Sequence, residues 1–71
     1  MSGRPEKHSL TLNGHRTSVS LEVEFWTEFR ALAVARAIPL NALAAEIDAG
    51  RGDVGLASAI RVEVLRAVRA G

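Results

Sequence analysis

Three polar side chains alternate along one short segment of the chain: Arg16, Ser18 and Ser20. Residues two apart in a strand point to the same side, so a strand over residues 16–21 would place a guanidinium and two hydroxyls on one face. These groups can donate hydrogen bonds to an anion. The same alternation is typical of the solvated face of a half-buried strand. Both interpretations depend on the elements that hold this segment.

Alternation of apolar and polar residues extends from Lys7 to Leu21 and is interrupted once, by Asn13-Gly14. This dipeptide favours a type I′ hairpin turn, because both residues tolerate a positive φ. A two-residue loop pairs Leu12 with His15 and gives the hairpin one apolar and one polar face. The predicted apolar face contains Leu10, Leu12, Thr17, Val19 and Leu21, and the polar face contains Lys7, Ser9, Thr11, Arg16, Ser18 and Ser20.

The remaining residues do not form a catalytic or metal-binding pattern. The sequence has no cysteine and no tyrosine, and no glycine-rich loop between a strand and a helix that could hold a phosphate. His8 and His15 fall near opposite ends of the predicted hairpin, without nearby carboxylate or thiol ligands. We therefore expect no enzymatic activity, no metal ion and no other cofactor.

Length and composition limit what the chain can bury. A chain of 71 residues buries only about 60 % of its unfolded surface, and without cysteines it has no disulfide to compensate. Its apolar stretches are interrupted well short of the ~20 residues of a membrane span, and the N-terminus lacks the apolar core of a signal peptide. We expect a cytoplasmic protein, without a membrane partner, that is stabilised by a second copy of itself.

Charge is unevenly distributed, although the formal net charge is only +1. Residues 1–20 carry three basic residues against one acidic residue, residues 21–55 carry three against six, and residues 56–71 carry three against one. Both ends are therefore basic, which favours a positive face toward an anion. Residues 1–6 contain glycine and proline without periodicity and are predicted to be a flexible basic arm before a single domain over residues 7–71.

Helical periodicity follows the hairpin, which is predicted over residues 7–21. An aromatic stripe predicts a first helix over residues 23–36, which Ile38-Pro39 ends because the residue before a proline avoids the α conformation. Further apolar stripes predict a second helix over residues 40–50 and a third over residues 56–70. The basic side chains of the third helix are expected on its solvated side, or alternatively in contact with a phosphate or a protein partner: Arg61, Arg66 and Arg69.

A ribbon with two helices cannot cover its own apolar face, whereas the strand over residues 16–21 keeps one backbone edge free. Pairing of this edge with its symmetry mate would join two chains around a two-fold axis. Trp26 and its aromatic neighbours fit a core, with base stacking as the alternative. The predicted core of the homodimer contains Val19, Leu21, Phe25, Trp26, Phe29, Leu32, Leu43 and Ile47.

Three segments resemble the ribbon-helix-helix DNA-binding proteins, the class of the Arc and MetJ repressors: Arg16-Thr-Ser-Val-Ser-Leu-Glu22, Phe25-Trp26 and Leu40-Asn-Ala-Leu43. The segment from Gly14 to Glu22, together with Ser58-Ala-Ile-Arg61, is similar to a bacterial subgroup with an added third helix. The resemblance implies a mainly α fold with a short β ribbon, in an intertwined homodimer with an intermolecular antiparallel sheet.

The resemblance also implies how DNA would be bound. In the family, strands of two protomers lie in the major groove, which would bring Arg16, Ser18 and Ser20 to base edges. The amino-terminal amides of the second helix hold a phosphate in the family, which corresponds here to Leu40 and Asn41. The chain departs from the family at Pro39, where a capping serine is common. From the basic N-terminal segment, Lys7 and Arg4 are expected to contact phosphates as well.

The predicted function is sequence-specific binding of double-stranded DNA, by a small transcriptional regulator or an antitoxin-like repressor associated with the nucleoid. If both hairpins stay intact, the dimer contains a four-stranded sheet that is roughly 14 Å across. The major groove is only ~12 Å wide. The first strand would then yield to DNA, or lie outside the groove and contact phosphates. The alternative is a homodimeric protein-interaction module with a closed four-stranded sheet and no DNA contact.

Overall fold

The structure, a computed structural model, describes residues 4–71. A two-stranded antiparallel sheet precedes three helices, and the chain is mainly helical. This confirms the predicted fold class of a β ribbon followed by two helices and an added third helix. The intermolecular sheet of a dimer stays a prediction. The elements are β1 (Pro5–Leu12), β2 (His15–Glu22), α1 (Val23–Ala35), α2 (Leu40–Gly50) and α3 (Leu56–Ala70).

The hairpin turn has the conformation that its sequence predicts. Asn13 has a φ of 52° and Gly14 a φ of 85°, and two successive positive φ values are the requirement of a type I′ turn. Leu12 lies opposite His15, and antiparallel pairing continues without interruption to Pro5 and Glu22. The register therefore follows from the two-residue loop.

β1 begins two residues before its predicted start at Lys7. Pro5 is accepted at the first position of a strand because no ladder hydrogen bond from its nitrogen is needed there. The indole Nε1 of Trp26 donates a hydrogen bond of 2.8 Å to the carbonyl oxygen of Glu6 and fixes this end of the strand. Pro5 and Glu6 therefore belong to the sheet and not to the predicted arm, of which residues 1–3 lie outside the described residues.

One chain buries a complete apolar core beneath the sheet. α3 contributes Ile60 and Val64, which are 0 % and 3 % exposed, and thereby covers the apolar face of the hairpin. The expectation that one chain cannot cover this face is wrong, because the third helix packs on the sheet together with the first two. Burial of Trp26, 1 % exposed, also removes its alternative role in base stacking. Within residues 4–71 the core consists of Leu10, Leu12, Val19, Leu21, Trp26, Phe29, Ala33, Leu43, Ala44, Ile60 and Val64.

The other residues predicted for the dimer core border this single-chain core. Phe25, Leu32 and Ile47 are half-buried and pack against it. Their partial exposure leaves apolar surface on the outside of the helical layer. In the part of the chain that the structure describes, no helix has the length and apolar character needed to cross a membrane.

The connection between α1 and α2 sets the direction of the second helix. The N–H of Ala37 donates to the carbonyl of Val34 at 3.0 Å and that of Ile38 to the carbonyl of Ala33 at 3.1 Å, which is the Schellman pattern at a helix end. Ala37 has a φ of 57°, the left-handed conformation that this motif usually gives to glycine. α1 therefore ends at Ala35, one residue before its predicted end.

Candidate nucleic-acid interface

The outer face of the hairpin is polar and carries no carboxylate along the three residue pairs nearest the turn. Thr11 lies opposite Arg16, Ser9 opposite Ser18, and Lys7 opposite Ser20. We call these six residues the polar face. Ser20 is half-buried and the other five are exposed. Within residues 4–71 none of the six side chains has a hydrogen bond or ion pair, so their donors remain available to a ligand.

An acidic residue at the end of this face is neutralised from α3. Glu22 follows Ser20 on the same side of β2, and Arg61 donates from Nε to Glu22 Oε1 at 3.0 Å and from an η nitrogen to Oε2 at 3.3 Å. The pKa of the Glu22 carboxyl lies below its ordinary value. The largest cause is a backbone hydrogen bond, and the second is the hydrogen bond from Arg61. The carboxylate is thus held by a cation next to the polar face.

The sequence predicts Arg61 on the solvated side of the third helix, and this prediction is wrong. Its side chain is half-buried, with the guanidinium carbon 5.8 Å from the ring centroid of Phe25. An η nitrogen also donates to the carbonyl oxygen of Ser20 at 3.5 Å. Arg61 therefore joins α3 to the point where β2 becomes α1. No sequence spacing indicates a pair 39 residues apart, so the sequence alone does not predict this contact.

The amino terminus of α2 lies beside the outer edge of β1. Asn41 Oδ1 accepts a hydrogen bond of 3.1 Å from the backbone N–H of Thr11. Pro39 provides no side-chain cap to the helix, and the N–H groups of the first turn have no partner within the helix. Leu40 and Asn41, two predicted phosphate contacts, are thus placed near the turn end of β1. Arg4 and Lys7, the other two, are exposed near its opposite end.

His8 belongs to the inner side of the hairpin and serves its packing. Its ring meets Trp26 edge to face, with 4.6 Å between centroids. Its Nε2 lies 3.3 Å from Glu6 Oε1, so a carboxylate is close to His8, contrary to the expectation from sequence. Among the described residues, no three histidine, cysteine or acidic side chains are grouped where they could hold a metal ion.

The two edges of the sheet differ in what occupies them. In a hairpin with a two-residue loop, Leu12 and His15 exchange hydrogen bonds, so Arg16, Ser18 and Ser20 direct their backbone groups away from β1. Arg61 contacts the Ser20 carbonyl at this edge. Within residues 4–71, the backbone groups of Arg16 and Ser18 on that side have no partner. β2 therefore presents a free edge of the kind that accepts another strand.

Comparison with known families agrees with this architecture. A family model described as a ribbon-helix-helix domain matches residues 5–68. The chain belongs to the ribbon-helix-helix domain family. The match confirms the family that the sequence resembles. Ribbon-helix-helix domains are generally non-enzymatic, DNA-binding transcription regulators, and they typically dimerise. Comparison with curated proteins and with solved structures gave no match.

Proposed function

We propose that this ribbon-helix-helix chain binds specific double-stranded DNA as a homodimer, and that it is a small transcriptional regulator or an antitoxin-like repressor on the nucleoid of the cytoplasm. The observation that carries the proposal is the polar face, which is exposed, includes Lys7 and Arg16, and lies on a hairpin whose β2 edge is free. Cations and hydroxyls without internal partners fit the phosphates and base edges of a groove.

Pairing of two β2 edges would place the central base-reading residues of both chains side by side. Arg16 can bind guanine O6 and N7 with two hydrogen bonds, which discriminates against other bases by about 1–3 kcal/mol. Ser18 and Ser20 donate to or accept from several bases and therefore specify less. Most of the sequence preference is thus assigned to Arg16 and its symmetry mate.

The contacts of β1 favour one of the arrangements considered for a four-stranded sheet. Asn41 holds Thr11 at one end of β1, and Trp26 holds Glu6 at the other. A strand fixed at both ends is poorly placed to yield to DNA. We therefore infer that β1 flanks the central pair at the margin of the groove. Arg4, Lys7 and the first turn of α2 with Leu40 and Asn41 would then face phosphates.

Binding to DNA can be measured by fluorescence anisotropy, with a promoter fragment and with random duplexes at several salt concentrations. Affinity should fall steeply with salt, because phosphate contacts release counterions. Arg16→Ala should weaken binding to the preferred duplex by about 1–3 kcal/mol. Arg69→Ala, in the last turn of α3, is the matched control and should leave the affinity nearly unchanged. Equal affinities of the Arg16→Ala variant and the wild type would contradict the assigned site.

A second function is favoured by the width of the sheet. With β1 fixed, a dimer sheet of roughly 14 Å exceeds a groove of ~12 Å. The homodimer would then be a protein-interaction module that uses its closed sheet and α3 without DNA contact. The anisotropy series separates the two functions, since a dimer that binds neither duplex at low salt supports the interaction module.

A further inference from the structure

The helical layer carries exposed apolar side chains that do not belong to the single-chain core. Leu65 and Val68 of α3 are 50 % and 54 % exposed. Val68 lines a shallow groove between α1 and α3, which we call the α1–α3 groove, and Leu65 lies three residues earlier on the same side of α3. Its lining is almost entirely apolar and consists of Glu28, Ala31, Leu32, Val64, Ala67 and Val68.

The exposed apolar residues of α3 lie on the same side of the helix as Arg61, which contacts the free edge of β2. Arg61 contacts the Ser20 carbonyl on that edge and the ring of Phe25. Leu65 and Val68 follow Arg61 by four and seven residues, which places them one and two turns along the same side of α3. A surface therefore runs from the backbone edge of β2 over Arg61 to the exposed apolar residues of α3.

Strand pairing alone would give a small interface between two copies. The inward side chains of β2, Val19 and Leu21, are already 4 % and 0 % exposed in a single chain. Joining two β2 edges would thus add backbone hydrogen bonds but little apolar burial, whereas a stable interface usually buries about 800 Å² on each partner. Under two-fold symmetry, surface next to one edge is brought near the same surface of the second chain.

We propose that the α1–α3 groove, together with the neighbouring side chain of Leu65, is the helical half of the self-association surface and is covered by the same groove of a second copy. This inference rests on the homodimer of the proposed function and assigns α3 to its interface. A second groove, between α2 and α3, fits this role less well, because half of its lining residues are charged. These are Arg36, Glu46, Arg51, Glu63 and Arg66.

Light scattering of the full chain over a range of concentrations tests the proposal. Val68→Asp should raise the dissociation constant of the dimer by ~30-fold or more, as expected for a residue that lines the covered groove. Val34→Asp is the matched control, since Val34 is 79 % exposed on α1 and is not part of the groove lining. The helical circular dichroism of both variants should equal that of the wild type. Equal dissociation constants for the Val68→Asp variant and the wild type would overturn the proposal, as would a monomeric wild type.

Cross-linking provides a test that does not depend on a buried charge. The chain has no cysteine, so a single introduced thiol can be linked only between chains. Val68→Cys should give a covalent dimer with a short bismaleimide, and Val34→Cys should give little. Linkage of both variants to the same low extent would overturn the inference. A dimer that cross-links through Val68→Cys but binds no DNA would support this interface and contradict the DNA-binding function, so the two failures are distinguishable.

Discussion

The two edges of the sheet are built in opposite ways. The edge of β1 starts with a proline, includes Lys7 and has its Thr11 amide bonded to Asn41. Proline, lysine and a covering element are means by which proteins keep edge strands from pairing. The edge of β2 has unpaired backbone groups at Arg16 and Ser18 within the described residues. The difference indicates that a new strand is accepted beside β2 and excluded beside β1.

The largest expected effect comes from a proline on the free edge. Ser18→Pro removes an N–H that points away from β1, so the hairpin ladder should survive while pairing with a second chain fails. The dimer dissociation constant should rise by about 100-fold, because each copy loses a hydrogen bond of about 0.5–1.5 kcal/mol and meets the proline ring. Sedimentation equilibrium measures this change.

The matched control is the residue opposite Ser18. Ser9→Pro places the same ring on the outer edge of β1, where no second chain is expected. Its dissociation constant should stay within a few-fold of the wild type. If the Ser9→Pro variant dissociates as much as the Ser18→Pro variant, the distinction between the two edges is wrong.

A smaller effect is expected where β1 is capped. Asn41→Ala removes the acceptor of the Thr11 N–H and should lower the free energy of unfolding by about 1 kcal/mol. Asn41→Asp keeps an oxygen at this position and favours the start of α2, so it should retain most of the stability. Urea denaturation measures both variants. Unchanged stability of the Asn41→Ala variant would show that this contact does not hold the edge.

A substitution in the turn between α1 and α2 should increase the stability of the chain. Ala37 has a positive φ, which costs energy for a residue with a β carbon. Ala37→Gly should therefore raise the free energy of unfolding by about 0.5–1 kcal/mol, the strain relief being partly offset by the greater entropy of the unfolded chain. Thermal unfolding measures the change. A lower melting temperature would contradict the assignment of strain to this residue.

The smallest effect concerns the end of the β2 edge, where Arg61 binds Glu22. Because the pKa of Glu22 is lowered in the folded chain, its contribution to stability is present above its unfolded pKa and is lost as the pH falls through the folded value. The free energy of unfolding should therefore decrease as the pH falls below the ordinary pKa of glutamate, about 4.3. Glu22→Gln should remove this part of the pH dependence in urea denaturation. An identical pH profile for the variant would refute the link.

Local contacts explain why much of the fold could be predicted. The Asn13-Gly14 turn sets the hairpin register. Its two positive φ values form a type I′ turn, and the two-residue loop of this turn pairs the residues on either side of it. The polar face follows from that register by alternation, and the α2 segment, Leu40–Gly50, follows from its apolar period. Less of the candidate site could be predicted from the sequence, since the pairing of Arg61 with Glu22 joins residues 39 apart. Arg61, Arg66 and Arg69 are all arginines on the same helix. Periodicity therefore does not distinguish Arg61 from the other two.

The sequence by itself determined the elements, the register of the hairpin and which side chains form its polar face, because these depend on conformations of neighbouring residues. Only the tertiary structure decided that α3 completes the core of one chain with Ile60 and Val64, and that Asn41 closes the β1 edge. Those outcomes depend on how α2 and α3 cross the sheet. Such crossings are set by the packing of distant side chains, which no local pattern encodes.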